Sequence, residues 1–186
     1  MYIYFILLGI ICIDFLLEYF LNRKNILQKS NWFCKLLFYF FKFRIITVIS
    51  IVLITTLRSY SVGLDTKSYL NYYNDLLIGK KQVFIDSISN KFEYGYTFLN
   101  SLFAVCKFDF RFLIAIISIF SSISLVLFVN KFSTNKLMSI LMYIMLGVFA
   151  QSLNTLRQII AMSFVLLSLI YLIDNYFSMF ISFSIL

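Results

Sequence analysis

The chain has 186 residues, of which 62% are hydrophobic, 20% aromatic and only 13% charged, and its mean hydropathy is +0.93. Soluble domains have roughly 45–50% apolar and about 25% charged residues, so this composition indicates a membrane protein and excludes an ordinary soluble domain. The net charge of +8 does not indicate nucleic-acid binding, because no basic stripe is interleaved with exposed aromatic residues as a polyanion groove requires.

Two residue types limit the chemistry further. The chain has no histidine, which excludes histidine metal ligands, histidine-based catalytic triads and imidazole proton shuttles. The three cysteines, Cys12, Cys34 and Cys106, lack CxxC spacing and lie among apolar residues. We interpret them as small buried hydrophobic residues rather than as disulfide partners or metal ligands.

Five apolar segments approach the roughly 20 residues that a membrane-spanning helix needs. They are residues 2–21, 37–57, 110–129, 137–153 and 159–173. Lys42 and Arg44 interrupt the second segment, so we place its true start near Phe43 and the preceding aromatic stretch along the interface. We predict an all-α, polytopic transmembrane helix bundle that forms a single integral membrane domain over residues 1–186.

The charges of the loops predict the orientation of the bundle. Residues 23–44 contain six basic and no acidic residues, whereas residues 59–94 contain four of each. By the positive-inside rule the first segment is cytoplasmic and residues 58–95 form an extracytoplasmic loop. Residues 94–106, YGYTFLNSLFAVC, are too short to span, and we predict a re-entrant or interfacial helix there. The basic turn NKFSTNK, residues 130–136, then returns to the cytoplasm, and NTLRQ, residues 154–158, lies at the outer face.

The first polar cluster on the outer face is RSYSVGLDT, residues 58–66. Arg58 lies at the outer end of its helix, Gly63 permits a tight turn with positive φ, and Asp65 with Thr66 is placed to cap a following helix. Each residue also has a purely structural interpretation, as a snorkelling arginine, a turn glycine and a helix cap.

The second cluster is Arg157 and Gln158, which interrupt the apolar sequence LNTLRQIIAMSF with no Gly or Pro nearby. Either the helix continues through them or they form a tight exposed turn. A guanidinium at membrane depth costs at least ~2.5–3.5 kcal/mol unless it faces water, a partner or an anion. We therefore predict that Arg157 lines a cavity and that, with Arg58, it binds phosphate oxygens through its planar fork.

Acidic residues complete the predicted site. Asp65 and Glu93 are the candidates to handle a sugar hydroxyl, and Glu93 directly precedes the aromatic residues Tyr94 and Tyr96. Aromatic rings beside a carboxylate suit a sugar ring, which is apolar on its faces and hydroxylated at its rim. An interfacial aromatic belt explains the same tyrosines without a ligand.

Asp14 and Glu18 are four residues apart in the first apolar segment and share one helical face. An intramembrane carboxylate is a functional candidate by default. Because Glu18 lies close to the cytoplasmic edge, across the membrane from the other polar residues, we assign this pair a structural or assembly role.

Three motifs follow one another in a recognisable order: LRSYSVGLDTKSYLNYY, then FEYGYTFLNSLF, then, after a hydrophobic span that ends in a basic turn, LNTLRQIIAMSFVLLSLIYL. This succession, over residues 57–172, resembles the EpsG family of bacterial polysaccharide-synthesis membrane proteins. The resemblance implies polymerisation of undecaprenyl-diphosphate-linked oligosaccharide units into O-antigen, capsule or exopolysaccharide, as in Wzy-type polymerases. It implies an enzyme of the outer face of the bacterial cytoplasmic membrane, with no metal or other cofactor.

The resemblance also implies residue roles. Arg157 and Gln158 match the family's Arg-Gln pair, and residues 93–96 match its Glu-x-Gly-Tyr element, whereas the spacing of the first motif departs slightly from the family pattern. Arginines would stabilise the diphosphate leaving group, and a carboxylate would act as base on the sugar hydroxyl. We assign catalytic roles to Asp65, Glu93 and Arg157. Substrate-binding roles are assigned to Arg58, Gly63, Tyr94, Tyr96 and Gln158.

Two alternatives remain. A transporter or flippase of lipid-linked glycans would use the same arginines without a base, although the chain has no proline and shows no paired helices broken by Gly and Pro. The second alternative is a non-catalytic membrane subunit or a gene fragment. It is suggested by the last apolar run, residues 176–186, which we interpret as a partial helix that further helices would follow. The expected partners are undecaprenyl-diphosphate-linked oligosaccharide, membrane lipid and other polysaccharide-assembly proteins, and no nucleic acid.

Overall fold

The computed structural model describes residues 2–23, 45–63, 65–78 and 93–173, which form eight α-helices and no strand. This confirms the predicted all-α class. The helices are α1 (Tyr2–Arg23), α2 (Ile45–Leu57), α3 (Thr66–Leu77), α4 (Tyr94–Val105), α5 (Phe110–Phe132), α6 (Lys136–Met145), α7 (Val148–Asn154) and α8 (Leu156–Ile173). The start of the predicted span 37–57 and the final run 176–186 lie outside the described residues.

The apolar helices identify a membrane protein. Helices α5 and α8 are long and apolar enough to cross a membrane, and α6 with α7 would form a third span if the bent pair is one. Within the described residues, the apolar part of α1, Phe5–Leu16, and the whole of α2 are shorter than a full span. The described residues therefore contain two to three candidate spans, whereas the predicted five were counted over the whole chain.

Helix α5 is at the centre of the bundle, between α2 and α8. The ring of Phe120 in α5 lies 5.0 Å from that of Phe164 in α8. Near the ends of the same two helices, Lys131 Nζ donates to the carbonyl oxygen of Ile170 at 3.2 Å. Because the middle of α5 meets the middle of α8 and their last turns also meet, the two helices run parallel.

The end of α2 and the starts of α5 and α8 lie together, at what we call the site end of the bundle. The ring of Tyr60, just after α2, lies 6.1 Å from that of Phe110, the first residue of α5. Arg58 reaches the carbonyl of Leu153, just before α8. Helix α2 is therefore antiparallel to α5, which is the alternation of directions that the loop charges predict.

The predicted span 137–153 is not one straight helix. It divides at Leu146 and Gly147 into α6 and α7, which meet at 53°. Gly147 has φ of +77°, a left-handed conformation that glycine adopts without the steric penalty of other residues. A second break, at Thr155, separates α7 from α8. The structure thus corrects the predicted form of this segment.

Two clusters of buried side chains stabilise the bundle. The first lies at the site end and joins α3 and α4 to α5 and α8, with Tyr69, Tyr73, Tyr96, Phe110 and Leu156 among its members. The second joins α1 and α2 to α5, α6 and α7. The short helices α3 and α4 therefore cover the site end of the bundle with aromatic side chains.

The structure shows the surroundings of Asp14 and of two of the three cysteines. Asp14 is buried and accepts a hydrogen bond from Thr47 Oγ1 at 2.6 Å, so it links α1 to α2, in line with the structural role predicted for it. The side chain of Glu18 and all of Cys34 lie outside what the structure describes. Cys12 is half-buried and Cys106 is exposed, so burial of every cysteine was wrong.

Candidate functional site

Arg58 holds the loop between α2 and α3 against the junction of α7 and α8. Its Nη1 donates to the carbonyl oxygen of Leu153, and its Nη2 donates to Thr66 Oγ1 at 3.3 Å. The Thr66 hydroxyl in turn donates to the carbonyl oxygen of Val62 at 3.0 Å. Both terminal nitrogens of Arg58 are thus directed at the protein, whereas the sequence predicted that they bind phosphate.

Gly63 is required in this loop for two reasons. It has φ of +100°, the positive φ that the sequence predicts. A Cβ atom at this position would lie 2.6 Å from Thr66 Oγ1 and 3.0 Å from Asn154 Oδ1. Only glycine satisfies both the backbone conformation and the close approach to α7, so Gly63 sets how the loop packs.

Arg157 is the second residue of α8 and pairs with residues far away in the sequence. Its Nη1 donates to both carboxylate oxygens of Glu93, at 2.8 and 2.9 Å. Its Nε donates to the hydroxyl oxygen of Tyr69 at 3.3 Å. Helix α8 begins at Leu156, after the break at Thr155, so the predicted helix that runs on from the preceding apolar residues is interrupted just before Arg157, although Arg157 itself is helical and not in an exposed turn. Its polar partners are a carboxylate and a phenol.

Glu93 and Arg157 form an ion pair that opens to the surface. The side chain of Arg157 is 32% exposed and that of Glu93 is 68% exposed. Hydrogen bonding to its own backbone is the largest cause that lowers the pKa of Glu93, and the hydrogen bond and charge of Arg157 lower it further. While paired, Glu93 is a weak proton acceptor, because an efficient base has a pKa near the operating pH.

The tyrosines around this pair differ in exposure. Tyr96 is 5% exposed, and its ring meets Tyr69 edge-on with centroids 5.4 Å apart. Burial raises the pKa of Tyr96. Tyr96 therefore packs against Tyr69 inside the protein. Tyr94 is 71% exposed, so of the two rings predicted to stack on a sugar only Tyr94 lies at the surface.

Asp65, the first choice for a base, lies at the N-cap position of α3 with its side chain exposed. The predicted capping hydrogen bond is absent. An N-cap residue needs extended backbone angles, whereas Asp65 has φ of −90° and ψ of −11°, which are helical values. Its backbone carbonyl instead accepts from the N–H of Tyr69 at 3.1 Å, so the carboxylate is left at the surface one helical turn before Tyr69.

Gln158 belongs to a different part of the site from Arg157. It lines a cavity of about 100 Å³ between α5, the bent pair α6 and α7, and α8. Arg157 is not among the residues of that wall, although the sequence predicted that Arg157 lines a cavity. Of these two consecutive residues, Arg157 thus belongs to the ion pair with Glu93 and Gln158 to the wall of the cavity.

Two residues of the site were not identified from the sequence. Tyr69 is buried with Tyr72, Tyr73 and Leu76 along one side of α3, and this helical spacing was the signal that could have found it. Arg111 has no comparable signal: its Nε donates to the Tyr60 hydroxyl at 3.2 Å, and its Cζ lies 5.2 Å from the centre of that ring.

Comparison with known proteins gives one match. The model of the EpsG family matches residues 41–186 of the chain, a range that contains Arg58, Glu93 and Arg157. No curated protein and no solved structure matches. The similarity therefore extends over most of the chain and includes the whole of the site described above.

Proposed function

Because the chain belongs to the EpsG family, we propose that it is a polymerase of lipid-linked oligosaccharides at the outer face of the bacterial cytoplasmic membrane. A glycan would move from one undecaprenyl diphosphate carrier to a sugar hydroxyl of a second lipid-linked unit. The bond between the attacking oxygen and the anomeric carbon forms, the bond from that carbon to the diphosphate breaks, and the hydroxyl proton passes to a carboxylate.

The observation that carries this proposal is the environment of Arg157. The guanidinium is fixed by Tyr69 on one side and by Glu93, largely exposed, on the other. An incoming diphosphate offers pairs of anionic oxygens that a guanidinium can bind through two parallel hydrogen bonds, as it can bind a carboxylate. It would replace Glu93 on Arg157, and the arginine would then stabilise the negative charge that develops on the leaving group.

The same exchange would activate the base. Displacement from Arg157 removes a hydrogen bond and a charge that lower the pKa of Glu93, so the freed carboxylate becomes a better proton acceptor. Asp65 remains the other candidate base, because its carboxylate is exposed at the start of α3. Arg58 acts as a positioning residue in this proposal, since its terminal nitrogens bind Leu153 and Thr66.

Replacing Arg157 tests the proposal. Arg157→Ala is expected to abolish long-chain surface polysaccharide while the protein still inserts into the membrane, and Arg157→Lys to restore only part of it, because lysine keeps the charge without the fork. Chain length is read by gel electrophoresis of the surface glycan. The control is Lys67→Ala, which removes an exposed cation of α3, at the same end of the bundle, and should leave chain length unchanged; normal chain lengths in Arg157→Ala would contradict the proposal.

A transporter or flippase is the second candidate, and the bent pair α6 and α7 is the observation that favours it, because broken helices are common at transporter binding sites. A strain that lacks the gene separates the two functions. Single repeat units at the cell surface indicate a missing polymerase. Lipid-linked units retained inside indicate a missing transporter.

For the domain organisation we propose that residues 1–186 form a single integral membrane domain that crosses the membrane several times. Residues 58–95 would lie outside the cytoplasm, where α3 and the start of α4 cover the site end. The described helices that reach this end, α2, α5 and α8, support that arrangement.

A further inference from the structure

The cavity lined by Gln158 is a groove that opens to the surface, because the side chains of both its glutamines, Gln151 and Gln158, are exposed. Its volume is about 100 Å³. A buried water needs roughly 10–15 Å³ of such space, so the cavity has room for several waters or for one small ring. It extends from Thr155 and Gln158 at the site end to Leu166, about 12 Å further along α8 at 1.5 Å per residue.

Polar groups line this cavity through most of its depth. They belong to Ser121, Tyr143, Gln151, Ser152, Thr155, Gln158 and Ser163. The hydroxyl protons of the serines and the threonine go to carbonyl oxygens of their own helices, as in Ser163 to Ile159 at 2.7 Å. The hydroxyl oxygens keep acceptor capacity, and the two glutamine amides supply donors and acceptors.

The part of the wall that the structure describes is uncharged. None of the described side chains that line the cavity is ionised at neutral pH, and Arg157 and Glu93 form their pair outside it. An anionic group there would therefore have no counter-charge among the described side chains of the wall. The chemistry of the wall favours a guest that is uncharged and rich in hydroxyl or amide groups.

A hydrocarbon guest fits less well. An isoprenoid chain would cover the amides of Gln151 and Gln158 without hydrogen-bonding to them, and an unsatisfied buried amide costs free energy. A sugar ring has apolar faces, which suit the aliphatic part of the wall at Ile159 and Leu166, and a hydroxylated rim, which suits the amides.

We propose that this cavity binds an uncharged sugar ring of the lipid-linked substrate, the ring whose anomeric carbon is bonded to the diphosphate at Arg157. The inference rests on the proposed function. Arg157 and Gln158 are consecutive residues in the first turn of α8, and consecutive helical side chains point about 100° apart, so a substrate with its diphosphate on one and its ring beside the other would lie around the start of α8. Gln151, from α7, and Gln158, from α8, would hydrogen-bond to the ring from two sides of the cavity.

The test measures binding by the full chain in lipid nanodiscs. The probes are farnesyl diphosphate, the same lipid linked to N-acetylglucosamine, the same lipid linked to glucuronic acid, and methyl N-acetylglucosaminide without lipid. We expect N-acetylglucosamine to increase the affinity for the lipid diphosphate at least about tenfold, and glucuronic acid not to increase it. Gln158→Leu and Gln151→Leu should each remove most of this increase and leave the affinity for farnesyl diphosphate unchanged.

Asn74→Leu is the matched control, because it makes the same amide-to-leucine change on the exposed side of α3 and should bind every probe like the wild type. Thermal unfolding of each variant checks that it is folded, and either glutamine variant suffices if the other fails. Wild-type binding of all probes by both glutamine variants would overturn the inference, and so would an equal loss for the sugar-free lipid.

Failure of the proposed function gives a different pattern. If farnesyl diphosphate does not bind, or binds equally well to Arg157→Ala, the role of Arg157 is wrong. Binding of methyl N-acetylglucosaminide that depends on Gln158 would then still support the sugar site. Normal, Arg157-dependent binding of farnesyl diphosphate together with no effect of either glutamine variant overturns the sugar site alone.

Discussion

Arg157 binds both oxygens of Glu93 through a single nitrogen, Nη1. The strength of this contact depends on whether the exposed carboxylate of Glu93 is ionised. The folded-state pKa of Glu93 is lowered. Stabilisation by the pair is therefore fully present above the ordinary glutamate pKa of about 4.3 and is lost as the pH falls through the lower, folded-state value.

This linkage predicts how stability responds to acid. Glu93→Gln is expected to unfold at a lower temperature than the wild type near neutral pH, by the equivalent of less than about 1 kcal/mol, because the pair is solvent-exposed. The difference should disappear as the pH falls below the folded-state pKa. Thermal unfolding of both proteins across that pH range measures it, and a difference that persists in acid would argue against the ion pair as its source.

A second prediction concerns Arg58. If this residue is a clamp, Arg58→Ala leaves the Leu153 carbonyl and Thr66 hydroxyl without their partner, and we expect a loss of about 1–3 kcal/mol in the free energy of unfolding, together with shortened glycan chains. A residue that only binds phosphate would lose activity with unchanged stability. Unfolding midpoints and chain lengths, measured on the same variant, separate these outcomes.

Sequence analysis identified most of the charged residues of the site but not how they are paired. Arg157 was selected because an arginine in an apolar run must have a partner, and that reasoning does not say which of several acidic residues it is. Glu93 is 64 positions away, so the pairing depends on how α4 packs. The direction of each side chain of the Arg-Gln pair depends on where α8 begins, at Leu156, for which Asn154 and Thr155 before it are only the usual residue types of a helix start.

At the scale of elements, the loop between α2 and α3 depends on Gly63. Gly63→Ala would place a Cβ 2.6 Å from Thr66 Oγ1 at φ of +100°. We expect it to lower the free energy of unfolding by about 1–3 kcal/mol and to reduce polymer length, because the loop would move away from α7.

Gly95→Ala is the control for this change. Its Cβ would meet nothing within 4 Å, and alanine favours the helical conformation by up to about 1 kcal/mol relative to glycine. We expect Gly95→Ala to be as stable as the wild type or slightly more stable by thermal unfolding. Equal behaviour of the two variants would show that neither glycine is constrained by its surroundings.

Helices α5 and α8 could be predicted because each is a long apolar run with no conformational interruption. The division of the next span into α6 and α7 could not. Glycine is frequent inside membrane helices, so Gly147 in the sequence MLGVF does not by itself indicate a bend. The wall of the cavity follows from that bend, which explains why Gln151 was not selected from the sequence.

At the scale of the whole molecule, Cys106 reports which side of the membrane the site end faces. It is exposed in the turn between α4 and α5. In intact spheroplasts we expect a membrane-impermeant maleimide to label this residue, and Cys106→Ser to remove most of the labelling, because Cys12 is half-buried within α1 and Cys34 is predicted to be cytoplasmic. Labelling that appears only after the membrane is opened would place the site end inside.

The hydrogen bond from Arg58 to the Leu153 carbonyl joins residues 95 positions apart, which imposes an order on assembly during synthesis. At roughly 5–20 residues per second, Arg58 is made about 5–20 s before Leu153 exists. Until then its guanidinium must stay in water or bind another group. The loop between α2 and α3 therefore cannot reach its final conformation until α7 has been synthesised, so an interruption between these two points would leave a bundle whose site end is open.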